Sequence, residues 1–310
     1  MSKRVRNLLR PLCVLSLLVL AAVSGDRQPA AVAQTALTGE WTASLDKDES
    51  NKLHLSLQRP TEKGGRSNMG TNFDFADFQG LTREQVVRGG AARFSLAREA
   101  GTIDFEGSFR DNKGSGTFRF TGSRSFVSAM KGRGFDFETE SPAAGDGRDA
   151  EDRLFAAAVL NVTTPLADDL LAAGFGRLDV EDLFKAAIFK VDSRFAREMK
   201  AAGFPDLRME DLVKARIFKI DAAFVGEVAR MGFGKEPMES LVKMRIFKVT
   251  PEFIAEARGE GLSDLSIEDL VKLRIFKIDA EFIRRAKADG VPLEVERLVQ
   301  RRIGVRNSFQ

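Results

Sequence analysis

The segment Glu268-Asp-Leu-Val-Lys-Leu-Arg-Ile-Phe-Lys-Ile-Asp279 decides how this chain folds, because close copies of it precede it at a fixed interval. Glu181 opens EDLFKAAIFKVD, Glu210 opens EDLVKARIFKID and Glu239 opens ESLVKMRIFKVT, each 29 residues after the one before. A degenerate copy begins at Glu151 (EDRLFAAAVLNVT) and a truncated one at Glu296 (ERLVQRRIGV). Self-similarity at such a period marks stacked supersecondary units.

Each unit reads as two short helices. The first opens with acids such as Glu268-Asp269, which complement the positive end of the helix dipole, and Ser266 fits as its N-cap. The second begins at Thr163, Asp192, Asp221, Thr250 or Asp279, with Pro251 one residue past its cap, where a missing N–H costs nothing. Phe195, Phe224, Phe253 and Phe282 recur inside it, with Leu166 in the first copy, and it ends at Gly174, Gly203, Gly232, Gly261 or Gly290. Helices of about three turns are marginal alone, so the units must stack into a solenoid over 151–310.

Working toward the N-terminus, Ser123–Phe135 repeats the cap, Phe126 and terminal Gly134 of a second helix. The stretch 122–150 therefore reads as a capping helix followed by a polar surface loop at Ser141–Asp149. Residues 37–121 have another texture. Lys52–Arg59 and Ala92–Ala97 alternate apolar and polar side chains as half-buried strands do, and Asp111–Ser115 between two such runs signals a hairpin. Trp41 falls in the first strand, Thr61–Thr71 reads as a long loop, and Leu81–Gln85 as one helical turn. The expected fold class is α+β: a small N-terminal antiparallel β-sheet domain followed by an α-helical-hairpin solenoid.

Residues 1–33 have the form of a signal peptide. Lys3, Arg4, Arg6 and Arg10 precede the apolar run Pro11–Val23, which is too short for a bilayer span of about 20 residues. Ala31-Val-Ala33 then fits a cleavage site, with an uncleaved anchor as the competing reading. Periplasmic or secreted localisation follows, with no stable membrane span once the leader is removed. Residues 1–36 hold five basic side chains and one acidic, so the formal +3 of the chain becomes about −1 without them. From Glu151 to Gln310 there are 27 basic and 27 acidic residues, a balance that argues against nucleic acid as a partner. The only cysteine lies in the leader, which excludes a disulfide framework.

The repeats of the type Leu265–Ile283 (LSIEDLVKLRIFKIDAEFI) resemble those that follow the peptidase domain in some BlaR/MecR-type antirepressor metallopeptidases. Together with the GEW, LSLQR and FRF motifs inside Gly39–Phe120, they are also similar to secreted bacterial proteins that join a small β domain to such repeats. The zincin motif and membrane bundle of the peptidases are absent, so their activity does not carry over. The resemblance implies an accessory or sensing module at the cell envelope.

Chemistry-bearing constellations are scarce. Histidine occurs once, as His54, on the polar side of its strand, and tyrosine never, so no catalytic residue, metal site or cofactor is expected. The repeated acid pairs sit at helix starts, where capping and the dipole account for them. Lys185, Lys214, Lys243 and Lys272 each follow a glutamate by four residues, the favourable helical pairing. Arg216, Arg245 and Arg274, and Lys190, Lys219, Lys248 and Lys277, lack that partner. Of these, Arg216, Arg245, Arg274, Lys219, Lys248 and Lys277 are the candidate binding residues, a stripe able to meet phosphates or carboxylates, with inter-repeat salt bridging as the structural alternative. The expected function is a non-catalytic protein- or peptide-binding scaffold. The alternative is a small apolar ligand or lipid held by the β domain, with the solenoid as its docking platform.

Overall fold

The computed structural model describes residues 37–45, 51–60, 65–139 and 149–304, all within one compact unit spanning Ala36–Gln310. The expected leader, and the expected loop before Asp149, lie outside the described residues. The seven strands are β1 (Leu37–Leu45), β2 (Lys52–Pro60), β3 (Arg66–Asp74), β4 (Phe78–Gln79), β5 (Gly90–Arg98), β6 (Gly101–Arg110) and β7 (Lys113–Gly122). They form one antiparallel sheet in the order β3-β2-β1-β7-β6-β5-β4.

That order forces curvature. The two edge strands, β3 and β4, are consecutive in the chain and joined only by a 3-10 turn at Phe75–Asp77. A flat sheet would separate its edges by about 29 Å at ~4.8 Å per strand. The few residues available reach about 14 Å at most. The sheet therefore curls until its edges approach, enclosing the apolar side chains of every strand.

Alternation places Trp41, Leu53, Leu55, Leu57, Phe94, Ile103, Phe105 and Phe118 inside, all buried. The ring of Trp41 lies edge-on to Phe94 and Phe105 at centroid distances of 5.4 and 6.2 Å and tilted against Phe109 at 5.4 Å, and its Nε1 donates to the Glu106 carbonyl at 3.2 Å. Glycines on β6 and β7 make room for it. A Cβ on Gly116 would stand 2.0 Å from the Glu106 oxygen and 2.8 Å from Trp41 Nε1.

Two local readings change. Thr61–Thr71 is not one long loop: Arg66–Asp74 forms β3, paired with β2 from Lys52↔Asp74 to Pro60↔Arg66. As an edge strand it buries only Phe73, so its sequence carries little alternation. The β6–β7 turn is only Asp111-Asn112, with φ of 51° and 62°, the paired left-handed conformation of a tight hairpin. The helical turn near Leu81 is α1 (Arg83–Arg88), closed by a Thr82/Gln85 capping box.

Helix α2 (Arg124–Lys131) follows the sheet. The paired helices are α3 (Ala150–Val159) with α4 (Thr164–Ala172), α5 (Val180–Phe189) with α6 (Ser193–Ala201), and α7 (Met209–Ile217) with α8 (Ala222–Val228). They continue with α9 (Met238–Ile246) and α10 (Pro251–Gly259), α11 (Ile267–Ile275) and α12 (Ala280–Ala288), and α13 (Val295–Ile303). First helices stack α5-α7-α9-α11-α13, and second helices stack α2-α4-α6-α8 and α10-α12. Helix α3 joins the array to the sheet: Phe155 stacks on Phe118 at 5.4 Å and meets Phe120 edge-on at 5.3 Å.

The caps are those read from the sequence. Thr163, Asp192, Asp221, Thr250 and Asp279 each accept the backbone N–H three residues on, from Leu166, Phe195, Phe224, Phe253 and Phe282. The second helices end on left-handed glycine, as at Gly203 with φ of 108°, a conformation that a Cβ disfavours.

Candidate functional site

The lysines four residues after each opening glutamate all pair across repeats. Lys185 reaches Glu210 at 3.2 Å, Lys214 reaches Glu239 at 2.6 Å, Lys243 reaches Glu268 at 2.9 Å, and Lys272 reaches Glu296. For Lys214, Lys243 and Lys272 the expected i,i+4 pairing gives way to this one, because stacking brings the acidic first turn of the next helix within reach. Lys185 also meets Asp182 at 3.3 Å. Hydrogen bonding from Lys243 holds the Glu268 carboxyl below the usual glutamate range, and Glu239 raises Lys214 above the usual lysine range.

The pH signs follow from those directions. A carboxyl depressed in the folded state contributes above its unfolded value, about 4.3, and that contribution is lost as pH falls through the folded value. A raised lysine contributes below about 10.4 and loses that contribution as pH rises through its folded value. Melting temperature should therefore hold a plateau from about pH 5 to 9 and fall on both sides. Glu268→Gln should reduce the acid-side fall, and an unchanged pH profile in that variant would exclude the pair as a contributor.

Arg216, Arg245 and Arg274 do not project as a free stripe. Each guanidinium lies over a phenylalanine ring of the preceding repeat's second helix: Arg216 over Phe195 at 3.7 Å, Arg245 over Phe224 at 3.7 Å and Arg274 over Phe253 at 3.8 Å. Arg302 repeats the contact over Phe282 at 5.0 Å. The interaction is cation–π. Arg245 Nη2 also donates to the Lys219 carbonyl at 2.8 Å, which brings the arginine of one repeat beside the lysine of the one before. Carboxylates, the alternative partners weighed for these arginines, instead engage the other lysine ladder.

Lys190, Lys219, Lys248 and Lys277 stand exposed where the first helix ends, and none forms an ion pair among the described residues. Their backbone is left-handed, with φ of 57°, 54°, 53° and 52°. The following amide closes each end with a six-residue hydrogen bond, as from Ile220 N to the Ala215 carbonyl at 2.8 Å. Glycine or asparagine normally fills such a position. The first copy has Asn161 there and the last helix closes on Gly304. Lysine occupies it in the four copies between, where the conformation costs a non-glycine residue about 1–2 kcal/mol. The helix dipole returns part of that cost.

Beside these cations runs a feature that charge patterns alone do not reveal. Ile188, Ile217, Ile246, Ile275 and Ile303 are 52%, 52%, 51%, 50% and 55% exposed, in the same place on five successive helices. The signal was available in the helical period. At 100° per residue, Ile217 lies about 200° from buried Ala215 and about 140° from buried Leu212, on the face away from the core. Phe189, Phe218, Phe247 and Phe276 follow in sequence and are half-buried against the core. The degenerate first copy has buried Val159 instead, so the ladder starts at Ile188.

At that start, Ile188 lines a pocket of about 340 Å³ together with Met69 of β3, Phe155, Leu160 and Phe184. The Arg59–Asp152 ion pair closes its side. A larger open groove of about 1050 Å³ crosses the outer face of the sheet past Glu40, Arg93, Asp104, Glu106 and Arg119. On the inner face the rings of Trp41, Phe94, Phe105 and Phe109 pack against one another. His54 faces outward and shares a hydrogen bond of 2.8 Å with Asn72. Among the described residues no group of three or more His, Cys, Asp or Glu side chains is placed to hold a metal, and no single helix is long and apolar enough to cross a membrane. Searches of protein-family models, curated proteins and solved structures gave no match to this chain.

Proposed function

We propose that this protein is a non-catalytic protein- or peptide-binding scaffold of the bacterial cell envelope. The observation that carries the reading is the ladder of five half-exposed isoleucines. A single exposed apolar side chain needs no explanation, but a row repeated in register along a solenoid is a surface built to be covered. The helical-hairpin array supplies the extended, rigid platform on which such rows serve recognition. The envelope assignment rests on the leader-like residues 1–33 and on the resemblance to the repeat tails of BlaR/MecR-type proteins.

The test is chemical crosslinking in the native envelope fraction, comparing the wild-type chain with Ile217→Ser/Ile246→Ser/Ile275→Ser. Those side chains are already half in water, so the variant should melt like wild type. Its crosslinked adducts should be reduced at least about tenfold, by analogy with the loss of central apolar anchors from an interface. An unchanged adduct pattern from the folded variant would remove the ladder as the binding surface.

A further inference from the structure

We infer that the occupant of this ladder is an acidic polypeptide segment in polyproline II conformation, with an apolar side chain at every third residue; the inference rests on the scaffold reading above. Charge selects the sign of the partner. Three residues before the isoleucines from Ile188 to Ile275, the lysines Lys185, Lys214, Lys243 and Lys272 are already neutralised by glutamates of the next repeat. Two residues after them, Lys190, Lys219, Lys248 and Lys277 have no ion-pair partner among the described residues. The nearby acids Asp192, Asp221 and Asp279 accept backbone N–H groups as caps of the next helix rather than ion-pairing these lysines. The row therefore presents apolar side chains together with lysines that no carboxylate pairs among the described residues.

Spacing selects the conformation. First helices pack directly on one another, and packed helices stand about 8–10 Å apart. Stacking at that interval should set equivalent isoleucines about as far apart. A polyproline II chain rises about 3.1 Å per residue with three residues per turn, so every third side chain returns to one face after about 9.3 Å. A β-strand repeats its face at about 6.7 Å and cannot hold the register. A helix does so only at every seventh residue, about 10.5 Å.

Backbone conformation supplies the independent reason to assign the lysines a task. The end copies carry asparagine and glycine at the left-handed position, and the four internal copies carry lysine, against the local preference. Strain retained at equivalent positions of consecutive repeats points to use of the side chain.

The experiment measures fluorescence anisotropy of labelled synthetic peptides with the full chain. The probe is five repeats of Leu-Glu-Pro. The comparisons are five repeats of Leu-Lys-Pro, a peptide of the probe's composition with leucine at every second position, and anionic phosphatidylglycerol vesicles. The acidic three-residue repeat should bind at least about tenfold more tightly than either control peptide, and its affinity should fall as salt is raised. Lys190→Gly/Lys219→Gly/Lys248→Gly/Lys277→Gly should melt at or above the wild-type temperature, because glycine relieves the left-handed positions. It should nevertheless bind the probe about tenfold or more weakly.

Equal binding of the two leucine spacings, binding of the basic peptide, or binding of vesicles without the acidic peptide would each overturn the inference. So would undiminished binding by the folded glycine variant. These results are separable from the crosslinking test. If the isoleucine variant loses its adducts while the acidic peptide fails to bind, the partner chemistry is wrong and the scaffold reading stands. If the adducts persist, the scaffold reading itself falls.

Discussion

Replacing Trp41 with alanine is expected to cost about 3–5 kcal/mol, the range for truncating a large buried aromatic side chain. The ring is 1% exposed and meets Phe94, Phe105 and Phe109. Glycines at 107, 114 and 116 leave space for this side chain, since a Cβ on any of them would come within 2.8 Å of its ring atoms, and over Gly114 it shares that space with Phe109. A sheet curled to bring its edges together cannot flatten to close the resulting cavity without breaking its own pairing. For a domain of this size the loss corresponds to a fall in melting temperature of roughly 6–20 °C, measured by far-UV circular dichroism. The same geometry predicts that Trp41→Phe costs less, because it keeps a ring on the glycine floor and gives up the bond to Glu106. A loss below about 1 kcal/mol for Trp41→Ala would mean that neighbouring rings repack into the gap, contrary to the incomplete relaxation usual in cores.

How much of this was legible in the sequence depended on whether the signal was local. Caps and helix ends are decided within four residues, and Asp221, Thr250 and Gly203 could be read directly. Alternation showed β2 because both faces of Lys52–Arg59 are distinct, and it hid β3 because Arg66–Asp74 lies at an edge with little to bury. Pairing of charges was misassigned at Lys214 because its nearest acid depends on how one repeat stacks on the next. The same stacking laid Arg216, Arg245 and Arg274 over phenylalanines, 21 residues earlier in each case. Ile217 was overlooked for a different reason: an apolar residue inside a helix is ordinarily counted as core, and only its angular position relative to Leu212 and Ala215 places it outside.

Truncation of Phe224 tests how the candidate site is held together. The side chain is 5% exposed and carries Arg245 at 3.7 Å on its face, so Phe224→Ala should cost about 3–5 kcal/mol from cavity formation. Phe224→Leu keeps much of the apolar volume and removes the aromatic face. In a double-mutant cycle of Phe224→Leu with Arg245→Met, the coupling should be about 0.5–1 kcal/mol, the scale of a partly exposed cation–π contact. Because each repeat is stabilised chiefly by its neighbours, a lesion in the third of them should release the repeats beyond it first. The chain contains one tryptophan and no tyrosine, so the emission of Trp41 reports the sheet while far-UV circular dichroism reports mainly the helices. Phe224→Ala should therefore separate the two signals in a urea titration, with helical signal lost at lower urea than the emission change. Coincident transitions would show instead that sheet and array unfold as one unit, joined through Phe155 and Phe118. Separation would carry a functional consequence, because Arg245 bonds the carbonyl of Lys219. The stack that stabilises one repeat on the next then also fixes the left-handed lysine beside the exposed isoleucines, and loss of Phe224 should weaken acidic-peptide binding even where the chain remains folded.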